Sequence, residues 1–296
     1  MEVQAARRSC LSVPGSSEKM LVKAATLAAD ELVLDLEDAV APDAKDDARS
    51  LVMRALATEA LADRTVAVRV NGPRTPWCHA DLIALAGARR PPDSVVVPKV
   101  EGAGDLAFVE RLLDGAARAA GSQRAVRVQA LIETAAGLAR VMESADASLR
   151  LDALILGYAD LAASLGRSPA GARDLDGWRP AQEAVLTAAR AHGLQAIDGP
   201  HLGVAVDEAF VAAATRARDA GFDGKWAIHP SQIATLNEIF SPTATELERA
   251  RAIVAALEAA ERDGRGAVAF EGEMLDEAVR AAALRTLSRA GSAGHR

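Results

Sequence analysis

What most constrains the fold of this chain is a recurrence. Eight short runs rich in β-branched residues or Leu come back at intervals of roughly 30 residues: Ser9–Val13, Leu32–Leu36, Val66–Val70, Val95–Val97, Val126–Ile132, Leu154–Leu156, Gln195–Ile197 and Trp226–Ile228. Most are continuous apolar runs, as expected for strands covered on both faces. Helical periodicity fills the intervals, as in Ser17–Ala29 with Ser17 as N-cap, Asp105–Ala120, and Trp178–His192 ending at Gly193. Eight such strand–helix units predict an α/β chain folded as a closed parallel (β/α)8 barrel, the TIM-barrel architecture of about 250 residues. A doubly wound open sheet would carry a Gly-rich phosphate loop after its first strand, and Val13-Pro14-Gly15-Ser16-Ser17 does not match one.

Composition agrees. Half of the 296 residues are hydrophobic but only 3% are aromatic, so the core must be built from Val, Leu, Ile and Ala. A net charge of −7 without a Lys/Arg-dense strip argues against a nucleic-acid partner. Cys10 and Cys78 lie far apart with no C-x-x-C spacing, which argues against a disulfide framework or thiolate metal site. The polar start, Met1–Cys10, has no apolar signal core, and no run approaches the roughly 20 apolar residues of a membrane span. The expectation is a cytoplasmic protein with no membrane partner.

We expect a barrel over residues 1–240 and a C-terminal helical arm over 241–296. Past the eighth run come a helix near Ala234–Phe240, the break Ser241-Pro242-Thr243, a long helix over Thr245–Arg262, the segment Val268–Met274 and a last helix. On this pattern alone the arm is a packing extension, a cap or an oligomer-forming arm.

Polar residues gather where the strands end, the place where barrels of this kind carry their sites. They are Asp35-Leu36-Glu37-Asp38, Arg69, Lys99, Glu133, Asp160, Asp198-Gly199-Pro200 and His229-Pro230. Glu133 and Asp160 suit a hard divalent cation, which takes one or two protein carboxylates and fills its shell with water and substrate oxygens. Either acid would equally serve to cap a following helix. Arg69 offers a planar fork to a carboxylate or thioester oxygen, or a salt bridge to Asp35 or Glu37. Lys99 has two readings, a partner for Glu101 or another acid, or a Schiff-base lysine. Asp35, Glu37 and Asp38 either hold metal-bound waters or form an ion-paired layer. His229 either faces ligand or is structural.

Taken together, Ser12-Val13-Pro14-Gly15, Leu34-Asp35-Leu36-Glu37-Asp38-Ala39-Val40, Arg69-Val70-Asn71-Gly72, Leu131-Ile132-Glu133-Thr134, Gly157-Tyr158-Ala159-Asp160-Leu161 and Gly224-Lys225-Trp226-Ala227-Ile228-His229-Pro230 resemble the citrate lyase β-subunit-like (HpcH/HpaI aldolase/citrate lyase) family nearly end to end. Ala41-Pro42-Asp43, Ile197-Asp198-Gly199-Pro200 and Gly264-Arg265-Gly266-Ala267-Val268 look most like its malyl-CoA and citramalyl-CoA lyases. The resemblance implies Mg2+, or Mn2+, on Glu133 and Asp160. It places Arg69, Glu133, Ala159 and Asp160 at the substrate, Arg69 and Asp276 in catalysis, and Lys23, Ile228 and His229 against coenzyme A. It implies a homo-oligomer, trimer or hexamer, in which the arm closes over a neighbouring subunit's site.

The implied reaction is reversible cleavage of a malyl-CoA or citramalyl-CoA type thioester into an acyl-CoA and a 2-oxoacid, glyoxylate or pyruvate. Two alternatives share the motifs: a malyl-CoA thioesterase, and a citrate lyase β-subunit acting on an acyl-carrier-protein thioester. A silent ligand sensor is a third, and the intact acids and Arg69 count against it. Two departures from the pattern bear on substrate choice. Ser17 stands where some relatives carry a basic residue, and the segment between Asp160 and Trp178 is short for a malyl-CoA lyase.

Overall fold

Eight parallel strands pair in chain order: Ser9–Pro14 (β1), Glu31–Asp35 (β2), Thr65–Arg69 (β3), Ser94–Val97 (β4), Arg127–Ile132 (β5), Leu151–Leu156 (β6), Gln195–Asp198 (β7) and Gly224–Ala227 (β8). The ring closes where β8 meets β1, through Lys225 beside Ser9 and Trp226 beside Cys10. This is the expected (β/α)8 barrel. The computed structural model describes residues 5–168, 171 and 175–293. The first four residues of the polar start, five residues between Asp160 and Trp178, and the last three of the chain therefore lie outside the described residues.

Each expected run lands on a strand. The largest shift is in β6, which starts three residues early at Leu151 and draws Asp152 into the strand. That acid interrupts the apolar run in the sequence, yet it is buried because Arg7 NH2 donates to its Oδ2 at 2.9 Å. The connecting helices are Glu18–Ala24 (α1), Lys45–Leu56 (α2), Cys78–Ala86 (α3), Ala103–Ala119 (α4), Ala135–Ala139 (α5), Val141–Ala145 (α6), Tyr158–Ser164 (α7), Arg179–Ala191 (α8), Glu208–Ala220 (α9) and Gln232–Ile239 (α10). Ser17 caps α1 as expected, accepting the Met20 N–H. The helix stops at Ala24 rather than Ala29, where Thr26 turns its hydroxyl back onto the Lys23 carbonyl at 2.8 Å. Gly193, at φ +68°, follows the end of α8.

The barrel interior is a layer of Cys10, Val33, Ala67, Val96, Leu131, Ala153, Ile155, Ile197 and Trp226, all buried. Small side chains such as Cys10, Ala67 and Ala153 are mixed with large ones such as Leu131 and Trp226, so that the layer fills the interior. Both cysteines are free and buried. Below this layer, at the N-terminal ends of the strands, lies a polar floor. Arg7 donates to Glu31 at 2.9 Å, to Asp152 and to Gln195, and Gln129 donates to Glu31 at 2.8 Å and to Ser94 at 2.7 Å. All six side chains are buried, so charges taken out of water are paired within one network.

The chain divides into one unit over Arg7–Asn237 and a second comprising Met1–Ala6 and Glu238–Arg296. In the second, Ala244–Arg262 (α11) begins with a capping box between Thr243 and Glu246. The segment expected as one run, Val268–Met274, is instead a hairpin of Val268–Phe270 (β9) and Glu273–Leu275 (β10). Its two-residue turn, Glu271 at φ +48° and Gly272 at φ +84°, has the paired left-handed residues that such hairpins favour. Glu277–Ala293 (α12) packs on α11 around Ile253, Leu257, Leu275 and Ala283. Among the described residues, no helix is long and apolar enough to cross a membrane.

Candidate active site

The C-terminal strand ends bring together Asp35 and Arg69, which are neighbours in the β2–β3 ladder, with Glu37, Lys99 after β4, Glu133 after β5, and Asp160 in the first turn of α7. Arg69 lays its fork on Asp35, Nε to Oδ1 at 2.7 Å and NH2 to Oδ2 at 2.6 Å, while NH1 lies 2.9 Å from Glu37 Oε2. Burial works against its charge, but Asp35 and Glu37 outweigh that and raise its pKa further. The salt-bridge reading of Arg69 therefore holds, with both acids as partners. Asp35 in turn accepts the Glu37 N–H at 2.8 Å and the Ala39 N–H at 3.2 Å, which shapes the loop after β2.

Lys99 is the hub. Its backbone sits at φ +52°, a left-handed conformation that costs an L side chain roughly 1–2 kcal/mol. In this pose its N–H donates to Glu133 Oε1 at 2.9 Å. The ammonium donates to Glu37 Oε1 at 2.6 Å and lies 3.6 Å from Asp160, 3.8 Å from Asp38 and 4.0 Å from Glu133. Burial alone would lower its pKa, but the Glu37 hydrogen bond and the acids around it raise it, which removes the Schiff-base reading. Glu101 pairs instead with Arg74 at 3.1 Å.

Glu133 is buried, and this pushes its carboxyl up to about 8, with Lys99 drawing it down and Asp160 adding to the rise. Gly157 makes room for it: a Cβ there would lie 2.6 Å from Glu133 Cβ and 2.8 Å from its Oε2. Glu133 does not cap α5, since Thr134 accepts the Gly137 N–H at 3.0 Å. Burial likewise raises the Glu37 pKa, against the pull of Arg69 and Lys99. Among the described residues, no three His, Cys, Asp or Glu side chains are grouped as a metal site. What the mouth offers is two carboxylates, Glu133 and Asp160, beside one cation, the Lys99 ammonium, which Glu37 and Asp38 share with them. That donor set fits a hard ion with few protein ligands and several water or substrate oxygens.

The other expected residues take no part in these side-chain pairings. Ala159 is exposed in the first turn of α7, and Lys23 is exposed in the last turn of α1. Ile228 and His229 are exposed after β8, but Gln232 closes this turn on itself: its Oε1 accepts both backbone N–H groups, at 2.9 and 3.3 Å, and its own N–H donates to the His229 carbonyl at 3.1 Å. The His229 ring pairs with the Ser231 hydroxyl at 2.7 Å, a local structural contact. Asp276, in the second unit, is exposed and accepts the Ala278 and Val279 N–H groups at 3.0 and 3.2 Å, capping α12.

Two features escaped the sequence reading. Lys45 donates to the Leu36 and Glu37 carbonyls at 2.9 and 2.7 Å and fixes the acidic loop from below; nothing in its helical context signals this. The second is a buried network in which Lys225 donates to Asp198 and to the Gly199 carbonyl at 2.6 Å. There Tyr158 donates to Asp198, and Gln182 donates to Tyr158 at 2.7 Å. A lysine inside the four-residue strand Gly224–Ala227 was the available signal, because a buried ammonium requires a partner.

Fold and mouth together define a (β/α)8-barrel protein with an acidic, cation-holding site at the C-terminal strand ends. The chain belongs to the HpcH/HpaI aldolase/citrate lyase family, whose model matches residues 8–230. It is 40% identical to the L-malyl-CoA/beta-methylmalyl-CoA lyase of Cereibacter sphaeroides over 281 residues, 89% of this chain and 88% of that one. It is 39% identical to the (3S)-malyl-CoA thioesterase of the same organism over 290 residues, 96% of this chain and 94% of that one. Among solved structures it is similar to the protein CitE of Mycobacterium tuberculosis in complex with magnesium, acetoacetate and coenzyme A. That match has a TM-score of 0.78 and 34% identity, and covers 97% of this chain and 99% of that one.

Proposed function

We propose that this chain is a Mg2+-dependent carbon–carbon lyase that reversibly cleaves a malyl-CoA or citramalyl-CoA type thioester into an acyl-CoA and a 2-oxoacid, glyoxylate or pyruvate. The observation that carries the reading is the convergence of Glu133 and Asp160 on a single cation beside Arg69. Glu133 and Asp160 would hold the ion. When bound, it supplies Lewis-acid stabilisation to the oxygen that becomes the carbonyl, a contribution of several kcal/mol.

The chain's own residues do the rest. Arg69, immobilised by Asp35, presents fixed positive charge to the thioester oxygen as the enolate develops. Ala159, at the exposed start of α7, borders the 2-oxoacid. Lys23 and the Ile228–His229 backbone receive coenzyme A. In cleavage the substrate hydroxyl gives its proton to solvent water, the electron pair of the breaking carbon–carbon bond passes to the acyl-CoA enolate, and protonated Asp276 gives its proton to the acyl carbon and regains one from solvent; condensation runs these steps in reverse. The same reading includes a homo-oligomer, trimer or hexamer, in which one subunit's arm brings Asp276 to another's site. Exposed Leu202, Val204 and Val206 after β7 suit such an association. A cytoplasmic setting accords with two free, buried cysteines.

The test is direct. Purified protein with Mg2+ should cleave citramalyl-CoA or malyl-CoA, form the adduct from acetyl-CoA and the 2-oxoacid, and stop on exhaustive chelation. Turnover that survives chelation defeats the reading. The thioesterase relative supports a second reading, thioester hydrolysis, which would release free CoA from malyl-CoA without forming glyoxylate. The carrier-protein reading predicts no turnover of CoA esters and co-purification with an acyl-carrier protein.

A further inference from the structure

We propose that Lys99 is the resident cation of the metal-free site, an ammonium hydrogen-bonded to Glu37 that also lies against Glu133 and Asp160 and must draw back from them, toward Glu37 and Asp38, before a divalent ion can bind. The inference rests on the assignment of Mg2+ to Glu133 and Asp160. Four carboxylates lie within 4.0 Å of Lys99 Nζ: Glu37 at 2.6, Asp160 at 3.6, Asp38 at 3.8 and Glu133 at 4.0 Å. Two of these are the proposed metal ligands and two are not, so the ammonium sits between two sets of acids. An ammonium and a divalent cation of like sign repel at such distances and compete for the same oxygens.

The backbone of Lys99 is not free to follow. Its φ of +52° and the 2.9 Å bond from its N–H to Glu133 Oε1 tie the main chain to one of the ligands. Only the flexible four-carbon stem moves. Glu37, held in place by Arg69 at 2.9 Å, already accepts from the ammonium at 2.6 Å, and Asp38 is exposed beside it; together they form the dock that retains the ammonium as it draws back. Two functions are thus split within one residue. The main chain aims the Glu133 carboxyl, and the side chain keeps a positive charge 3.6 Å from Asp160 when no metal is present. Metal uptake is then an exchange of cations rather than simple filling.

The sign of the mutational effect separates this role from a merely structural one. Titrate Mn2+ into the full-length protein by the electron-paramagnetic signal of the free ion, and Mg2+ by calorimetry. Lys99→Met should bind both ions about tenfold more tightly than wild type, because no ammonium has to be displaced. Its metal-free form should melt lower, and its gain in Tm on adding Mg2+ should exceed that of wild type. Asp38→Asn should weaken metal binding several-fold in wild type, by removing part of the dock, and have no effect in the Lys99→Met background. If Lys99→Met does not fold, Lys99→Gln, which keeps a polar head without charge, makes the same comparison.

Unchanged or weaker metal binding in the uncharged variant overturns the proposal, as does an Asp38→Asn effect of equal size in both backgrounds. Wild-type protein that takes up neither Mg2+ nor Mn2+ overturns the metal assignment with it. Wild type that binds while the uncharged variant binds no tighter defeats this proposal alone.

Discussion

Arg69 and Asp35 meet edge to edge, Nε on Oδ1 at 2.7 Å and NH2 on Oδ2 at 2.6 Å, at positions that pair in the ladder between β2 and β3. The sheet register thus aims the guanidinium before any ligand arrives. A lysine at position 69 has a point charge and no fork. Arg69→Lys should therefore lower kcat/KM by about 10²-fold or more, in the range seen when one preorganised oxyanion donor is lost. Asp35→Asn, which keeps one acceptor, should lose less. Steady-state kinetics on folded variants, verified by circular dichroism, decide between them.

The Glu133 carboxyl makes metal binding depend on pH. Burial raises it from 4.5 to about 8, so between those values the metal-free fold keeps a proton that the unfolded chain gives up. In that window the stability of the metal-free protein should fall as pH rises. The divalent ion needs the carboxylate, so its affinity should climb toward pH 8 and its binding should release a proton. Melting curves across pH with and without Mg2+ test the first part. Calorimetry in two buffers of different ionisation enthalpy tests the second, and equal heats in both would count against it.

Gly157 leaves its neighbour no slack. A methyl group there would lie 2.6 Å from Glu133 Cβ, too close for any real contact. Gly157→Ala should destabilise the protein by about 1–3 kcal/mol, the usual penalty for overpacking. It should also weaken Mg2+ binding by displacing the carboxylate. A chemical melt and a metal titration on the same preparation check both effects.

Asp276 is at once a helix cap and the proposed proton carrier, and the two roles come apart by substitution. Asparagine caps as well as aspartate, so Asp276→Asn should leave Tm unchanged while lowering kcat by about 10²- to 10⁴-fold. Asp276→Ala should lose the same rate and, in addition, about 0.5–2 kcal/mol of stability. Equal rates in wild type and Asp276→Asn would remove the residue from the mechanism.

The barrel was readable because each strand is covered on both faces and so appears in the sequence as an unbroken apolar run; the interval between runs then sets the helices. The reading slipped where a polar residue is buried by virtue of a distant partner. Asp152 in β6 is neutralised by Arg7, and Lys225 in β8 by Asp198, at separations no local pattern encodes. The mouth was legible as a set of strand-end side chains but not as a set of pairings. Whether Lys99 met Glu101 or Glu37 depended on the left-handed turn at Lys99 itself, which follows Pro98 and carries no glycine to announce it. Similarly, the resemblance set Ile228 and His229 against coenzyme A, and no local pattern announced that Gln232 folds back onto both of their amides.

The polar floor of Arg7, Glu31, Asp152, Gln195, Gln129 and Ser94 closes the barrel at the end away from the mouth. The barrel is therefore a cup and not a pipe. Both fragments of a cleaved substrate must depart through the same doorway by which it came in. Whichever lies deeper is obliged to wait for the other, and the kinetic trace of that queue is ordered release. One product should inhibit competitively against the intact thioester, and the other should not.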